Sequence, residues 1–204
     1  MSFRDTILHE ALVIFEQKGI EDISTETLLE LLDISRGTLN EIAGSKKELV
    51  QECISHSIRV RQKVAEQIIS EADHSLEALL QVLQLCLEEV YSFNHAFVYD
   101  LQVYYPQSWA RLQLLMRLLT RNYLRPLIQQ SKDQGYLQQD VDAELAARMF
   151  LNHMYGLLNP RLFPAFAFDY QELFKTMILN YIKGCATPQG QAHIDVFPLK
   201  AMAV

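Results

Sequence analysis

Apolar side chains recur at three- and four-residue intervals along most of the chain, and runs of alternating Val, Ile and Thr are missing. That period predicts amphipathic helices rather than strands. Ile7, Leu8, Ala11, Leu12, Ile14 and Phe15 share one face of a first helix over about 4–18, with Gly19 as its stop. Ser24 or Thr25 caps a second helix over 26–32, and Ser35 caps a third over 36–43. "SKKE" at 45–48 fits a capping box and opens a long fourth helix to about Glu71. "ADHS" at 72–75 breaks the pattern before a fifth helix, 76–93, and a sixth follows over 96–105. A seventh runs 108–134, with Pro126 as a possible kink and Gly135 as its end. An eighth, to about 158, is capped by Asp140 or Asp142; a ninth, 170–183, has Asp169 at its cap and Gly184 after it. The stretch 187–204 has no helical period and is expected to be irregular.

The pattern therefore predicts an all-α chain: a three-helix N-terminal head, 1–47, continuous with a six-helix C-terminal domain, 48–186, and an irregular tail, 187–204. With 204 residues, half of them hydrophobic, the chain can bury a real core. Charge changes this picture more than composition does. The formal net charge is −7, and residues 1–50 carry ten acidic side chains against five basic ones (Arg4, Lys18, Arg36, Lys46, Lys47). The most acidic segment is thus the one with closely spaced short helices, and that sign opposes attraction to phosphate.

Cys53, Cys86 and Cys185 stand far apart with no C-x-x-C pair, as expected of reduced thiols in a cytoplasmic protein. The N-terminus lacks the features of a signal peptide, and the run "LLQVLQLCL" is too short for a membrane span. No nucleophile elbow, Gly-rich phosphate loop or metal-binding His/Cys motif is present, so neither an enzyme nor a cofactor or metal protein is expected.

Phe93, Phe97, Tyr99, Tyr104, Trp109, Met116 and Tyr123 form an aromatic and Met-rich set that can line a cavity for an apolar or amphipathic small molecule, or pack as ordinary core. Arg117, Arg121 and Arg125 recur at i, i+4, i+8, a stripe that more often pairs with nearby acids than binds a ligand. Phe150, His153, Met154, Leu157, Phe174, Ile178 and Tyr181 give the last two helices a wide apolar face, which burial in a homodimer accounts for.

The stretch "ILHEALVIFEQKGIEDISTETLLELLDISRGTLNEIAGSKKELV" resembles the N-terminal helix-turn-helix of TetR-family transcriptional regulators. "QQSKDQGYLQQDVDAELAARMFLNHMYGLL" resembles, by pattern, the approach to that family's dimer-forming helices. The resemblance implies a homodimer that presents two recognition helices to operator DNA about 34–36 Å apart. It also implies a small effector bound in the C-terminal domain, release of DNA on effector binding, and repression as the usual outcome. The implied DNA contacts are Arg36, Lys46 and Lys47, with Thr25, Ser35, Thr38 and Asn40 as neutral donors. The sequence departs from the family pattern in three places. Leu32-Asp33-Ile34-Ser35 stands where Ala-Gly-Val-Ser is usual, Asn40 where Tyr is usual, and Ala43 where Phe is usual. These departures and the acidic head leave open a second reading, in which the head no longer binds DNA and the protein acts through ligand or protein contacts.

Overall fold

The computed structural model describes residues 2–159, 161–164 and 167–198, and among these the regular structure is helical apart from one isolated bridge between Leu137 and Ala186. The helices group into two compact units: Met1–Lys63 with Ser92–Leu115, and Val64–Tyr91 with Met116–Val204.

In the first unit, α1 (Phe3–Lys18) opens with a capping box between Ser2 and Asp5 and ends at Gly19, whose φ of 85° needs a residue without Cβ. Then come α2 (Thr25–Leu32), α3 (Arg36–Ile42) and the start of α4 (Lys46–Glu71). The Ser45 hydroxyl caps α4 by accepting from the Glu48 N–H, while the Glu48 carboxylate reaches one residue further back than a capping box requires, to the Gly44 N–H. α6 (His95–Val103), capped by Asn94, packs on α1. Pro106 opens α7 (Pro106–Leu119) rather than ending α6, as a residue without N–H is free to do at a first helical position. Leu8, Phe15, Ile20, Leu28, Leu49, Ile54 and Phe97 are fully buried and form this unit's core.

The second unit begins within α4 and continues into α5 (Ser75–Ser92). The predicted seventh helix is broken into α7, a π-helical turn over Thr120–Leu124, and α8 (Arg125–Asp133). The reason is local. Pro126 has no N–H to give the fourth preceding carbonyl, and the Arg125 N–H bonds to Thr120 O, five residues back. Asp142, not Asp140, caps α9 (Ala143–Leu157). The ninth predicted helix is likewise divided into α10 (Tyr170–Leu173), a π turn over Phe174–Leu179, and α11 (Asn180–Cys185), so Gly184 lies inside its last turn rather than beyond it.

The tail departs most from expectation. Pro188–Asp195 is a helix, α12, with Thr187 as its cap and Pro188 at its first position. Its short apolar set, Gly190 and Ile194, is too sparse to register as a period, but both are buried.

Candidate functional site

The helix-turn-helix is built from capping groups. The Ser24 hydroxyl accepts from the Thr27 N–H and starts α2. Asp33 ends it in the left-handed region (φ 51°, ψ 46°), the one non-glycine residue with positive φ among those described. Asp replaces glycine there at modest cost, because its short polar side chain tolerates that geometry. The Ser35 hydroxyl then accepts from the Thr38 N–H at 3.0 Å and shares a 2.9 Å hydrogen bond with the Thr38 hydroxyl. Ala43 is buried at the end of α3, Leu32 is buried at the end of α2, and Leu29 is half-buried. The motif survives all three sequence departures.

Arg36, Gly37, Asn40 and Glu41 make up the exposed face of α3. Lys47 is exposed beside it, and Thr25 and Lys46 are half-buried. Two of the three candidate cations are already paired. Arg36 bonds to Glu26, whose own N–H and the guanidinium hold that carboxyl below its usual range. Lys46 Nζ lies 3.8 Å from Glu21 Oε1, which also accepts a 2.7 Å hydrogen bond from the Tyr105 hydroxyl. Burial, then this bond to Glu21, pushes the Tyr105 phenol up. Lys47 has no acidic partner within 4 Å among the described residues. Ser35 and Thr38, expected as donors to DNA, spend their hydroxyls on one another and on the cap; Asn40 is open to solvent.

The seven residues expected around a ligand divide between the units. In the first, Phe93 and Phe97 pack with ring centroids 5.4 Å apart, and Arg61 lies over Phe93. Tyr99 and Tyr104 meet edge to face at 6.3 Å, each about half exposed, and Trp109 is half-buried. In the second, Tyr123 donates to Glu66 at an exposed position. Met116 alone of the seven lines the small apolar cavity of this unit, together with Leu83, Cys86, Leu119, Thr120, Leu124, Phe150, Leu151 and Met154. The cavity, about 10 Å³, is roughly the space one water needs. Of the other lining residues, Phe150 and Met154 are among those expected at a dimer face instead, and Thr120 and Leu124 reach the cavity through the π turn, whose change of helical phase the sequence period does not show.

The expected dimer face also turns inward in part. Phe150, Met154, Leu157, Phe174 and Ile178 are buried within the chain itself, Phe150 and Met154 against that cavity. The accessible surface beside them is a groove lined by Asn152, His153, Gly156, Phe163, Thr176, Met177, Asn180 and Tyr181, with Leu145 and Met149 exposed on α9. His153 Nδ1 is buried there with no partner atom, and the Tyr181 ring meets Phe150 edge to face at 4.8 Å. Of the arginine stripe, Arg125 pairs with Glu144, which also holds Arg148. Among the described residues no three His, Cys, Asp or Glu side chains are placed to hold a metal ion, and no helix is long and apolar enough to cross a membrane.

No protein-family model and no curated protein matches the sequence. Solved structures do match the fold. A TetR-family transcriptional regulator from Agrobacterium tumefaciens is 16% identical and covers 90% of this chain and 97% of its own, with a TM-score of 0.70. A TetR-family regulator from Cytophaga hutchinsonii is 15% identical, covering 90% and 94%, with a TM-score of 0.67. The ketosteroid transcriptional regulator KstR2 of Mycobacterium tuberculosis is 16% identical, covering 91% and 96%, at 0.63. The likeness runs the length of the chain: this protein has the all-α fold of the TetR-type regulators.

Proposed function

We propose that the protein is a transcriptional regulator that binds operator DNA as a homodimer through α3 and the start of α4, and that a small apolar effector modulates this binding. The observation that carries the proposal is the intact helix-turn-helix: a left-handed Asp33 turn delivers a capped α3 whose exposed face presents Arg36 and Asn40. Arg and Asn are side chains that read guanine and adenine edges in the major groove. Thr25, Ser35, Thr38, Lys46 and Lys47 complete the proposed contact set. Repression is the expected sense of regulation, and the groove beside His153 and Tyr181 on α9 and α11 is the proposed seam between subunits. The effector is proposed to enlarge the small cavity beside Met116 and the Thr120–Leu124 turn; π turns often mark functional positions.

The test is a binding titration with duplex DNA from upstream of the protein's own gene, at low and moderate salt, with sedimentation to give the oligomeric state. Sequence-selective binding that Lys46→Ala weakens supports the proposal; absence of binding at low salt overturns it. One observation favours a second reading, a head that has lost DNA binding and a protein that acts through ligand or protein contacts. Glu26 and Glu21 occupy Arg36 and Lys46, in a segment where acids outnumber bases two to one. The same titration separates the two.

A further inference from the structure

The second unit holds a cluster of three rings outside every residue assigned above. His74 precedes α5, Tyr136 lies in the α8–α9 loop and His193 is on α12. Their ring centroids are 4.7 Å (His74–Tyr136), 4.6 Å (His74–His193) and 5.0 Å (Tyr136–His193) apart. Around them α12 is seated on backbone. The Thr187 N–H donates to Tyr136 O at 3.0 Å, its hydroxyl donates to Gly135 O at 2.7 Å, and Gly190 lies directly against Tyr136 O.

We propose that His74, packed against His193, is a pH-sensitive latch on α12, which is docked while the His74 ring is neutral and released when that ring takes up a proton. The geometry requires a neutral His74. Its Nδ1 accepts the Glu77 N–H at 3.1 Å and so serves as a side-chain cap of α5. A proton on Nδ1 removes that acceptor and sets a positive charge at the N-terminal, positive end of an 18-residue helix.

The surrounding charges do not cancel this. Asp73 and Glu77, beside His74 on its own side, favour its protonation; burial and the His193 ring oppose it, and burial is the largest effect, so the His74 pKa is lowered. Tyr136 brings no charge from the α8–α9 loop, and on the far side Asp195 of α12 is ion-paired to Lys183 of α11. A lowered folded-state pKa means that the docked form holds its full stability above the ordinary histidine value of about 6.5 and loses it as pH falls through the lowered one.

Amide hydrogen exchange on the full chain at pH 7.5 and 5.5, with rates normalised for intrinsic exchange, tests the latch. The comparison is wild type against the double variant His74→Asn, His193→Gln, in which Asn keeps a capping acceptor but cannot titrate. Protection across residues 190–195 of the wild type falls about fivefold or more at pH 5.5, the scale of losing one helix cap, and stays constant in the double variant. Unchanged wild-type protection, or an equal fall in the variant, overturns the proposal. If the double variant does not fold, proton NMR titration of the wild-type histidines decides: a His74 ring that titrates at or above the ordinary value overturns it, and one that titrates below it, together with the α12 amide shifts, supports it.

Discussion

The main-chain N–H of Ile20 lies 2.7 Å from the Oδ2 atom of Asp100, and the same oxygen accepts the N–H of Glu21 at 2.9 Å. One buried carboxylate on α6 therefore holds the α1–α2 connection, at the place where Gly19 clears the helix with a positive φ. The link reaches the proposed DNA face through Glu21, which ties Tyr105 and Lys46 together.

Removing that carboxylate leaves two N–H groups short of an acceptor in a water-poor setting. Asp100→Ala is expected to lower unfolding stability by about 3 kcal/mol, whereas Asp100→Asn, which keeps one oxygen acceptor, costs about 1 kcal/mol. Urea titration followed by circular dichroism measures both. Equal losses in the two variants count against the hydrogen-bond account.

DNA affinity is expected to rise when the competing acids are neutralised. Glu21→Gln and Glu26→Gln each strengthen binding about two- to fivefold, because an exposed ion pair competes only weakly with phosphate. Lys47→Ala acts in the opposite sense, and it lowers the slope of log affinity against log salt by about one for each phosphate that the lysine neutralises. Anisotropy titrations between low and moderate salt give both quantities. An unchanged salt slope in Lys47→Ala removes that lysine from the proposed DNA face.

A methyl group at position 190 has nowhere to go. In Gly190→Ala the new Cβ falls well inside van der Waals distance of the Tyr136 carbonyl, which is backbone and cannot swing away. The expected result is partial undocking of α12, on the scale of an overpacking defect of about 1–3 kcal/mol. Proteolysis after Lys183 should then accelerate while the rest of the chain keeps its resistance. A variant cleaved at the wild-type rate rejects this packing.

The thiols should be quiet. Cys53 and Cys86 are buried, burial pushes the Cys53 thiol far up, and burial together with Asp140 raises that of the half-buried Cys185. A thiol reagent at pH 7.5 is therefore expected to modify Cys185 alone, at about a tenth of the rate of a free cysteine or slower, and all three only after unfolding. Rapid modification of two or more thiols in the native protein contradicts this.

Helix positions are legible wherever a cap and a period coincide. Ser24, Ser35, Ser45, Asp142 and Asp169 all cap the helices that follow them. What the chain does not announce is pairing at a distance. Nothing local to Asp100 tells that it serves Ile20, eighty residues earlier, and nothing in "SRG" tells that Glu26 takes Arg36. The inward turn of Phe150 and Met154 is hidden for a related reason. An apolar stripe says that a face is buried, but not whether its own chain or a second copy does the burying. α12 escapes because its docking rests on backbone carbonyls and a missing side chain, neither of which shows as hydrophobicity.

The π turn at Thr120–Leu124 has a consequence for the phase of everything after it. Before it, the inward positions are Leu112, Leu115 and Leu119; after it they are Leu124, Leu127, Ile128 and Ser131. An uninterrupted α-helix would bring round 122 or 123 after 119, and then 126 and 130. The turn thus carries one surplus residue, equivalent to a single insertion, which rotates the downstream half by roughly 100°. Removing one residue here would cancel the surplus, and an unbroken α-helix would still aim Leu127 and Ser131 at the interior; the full-length stretch wound as plain α-helix would aim Pro126 and Gln130 there instead, so the wider turn is what absorbs the extra residue.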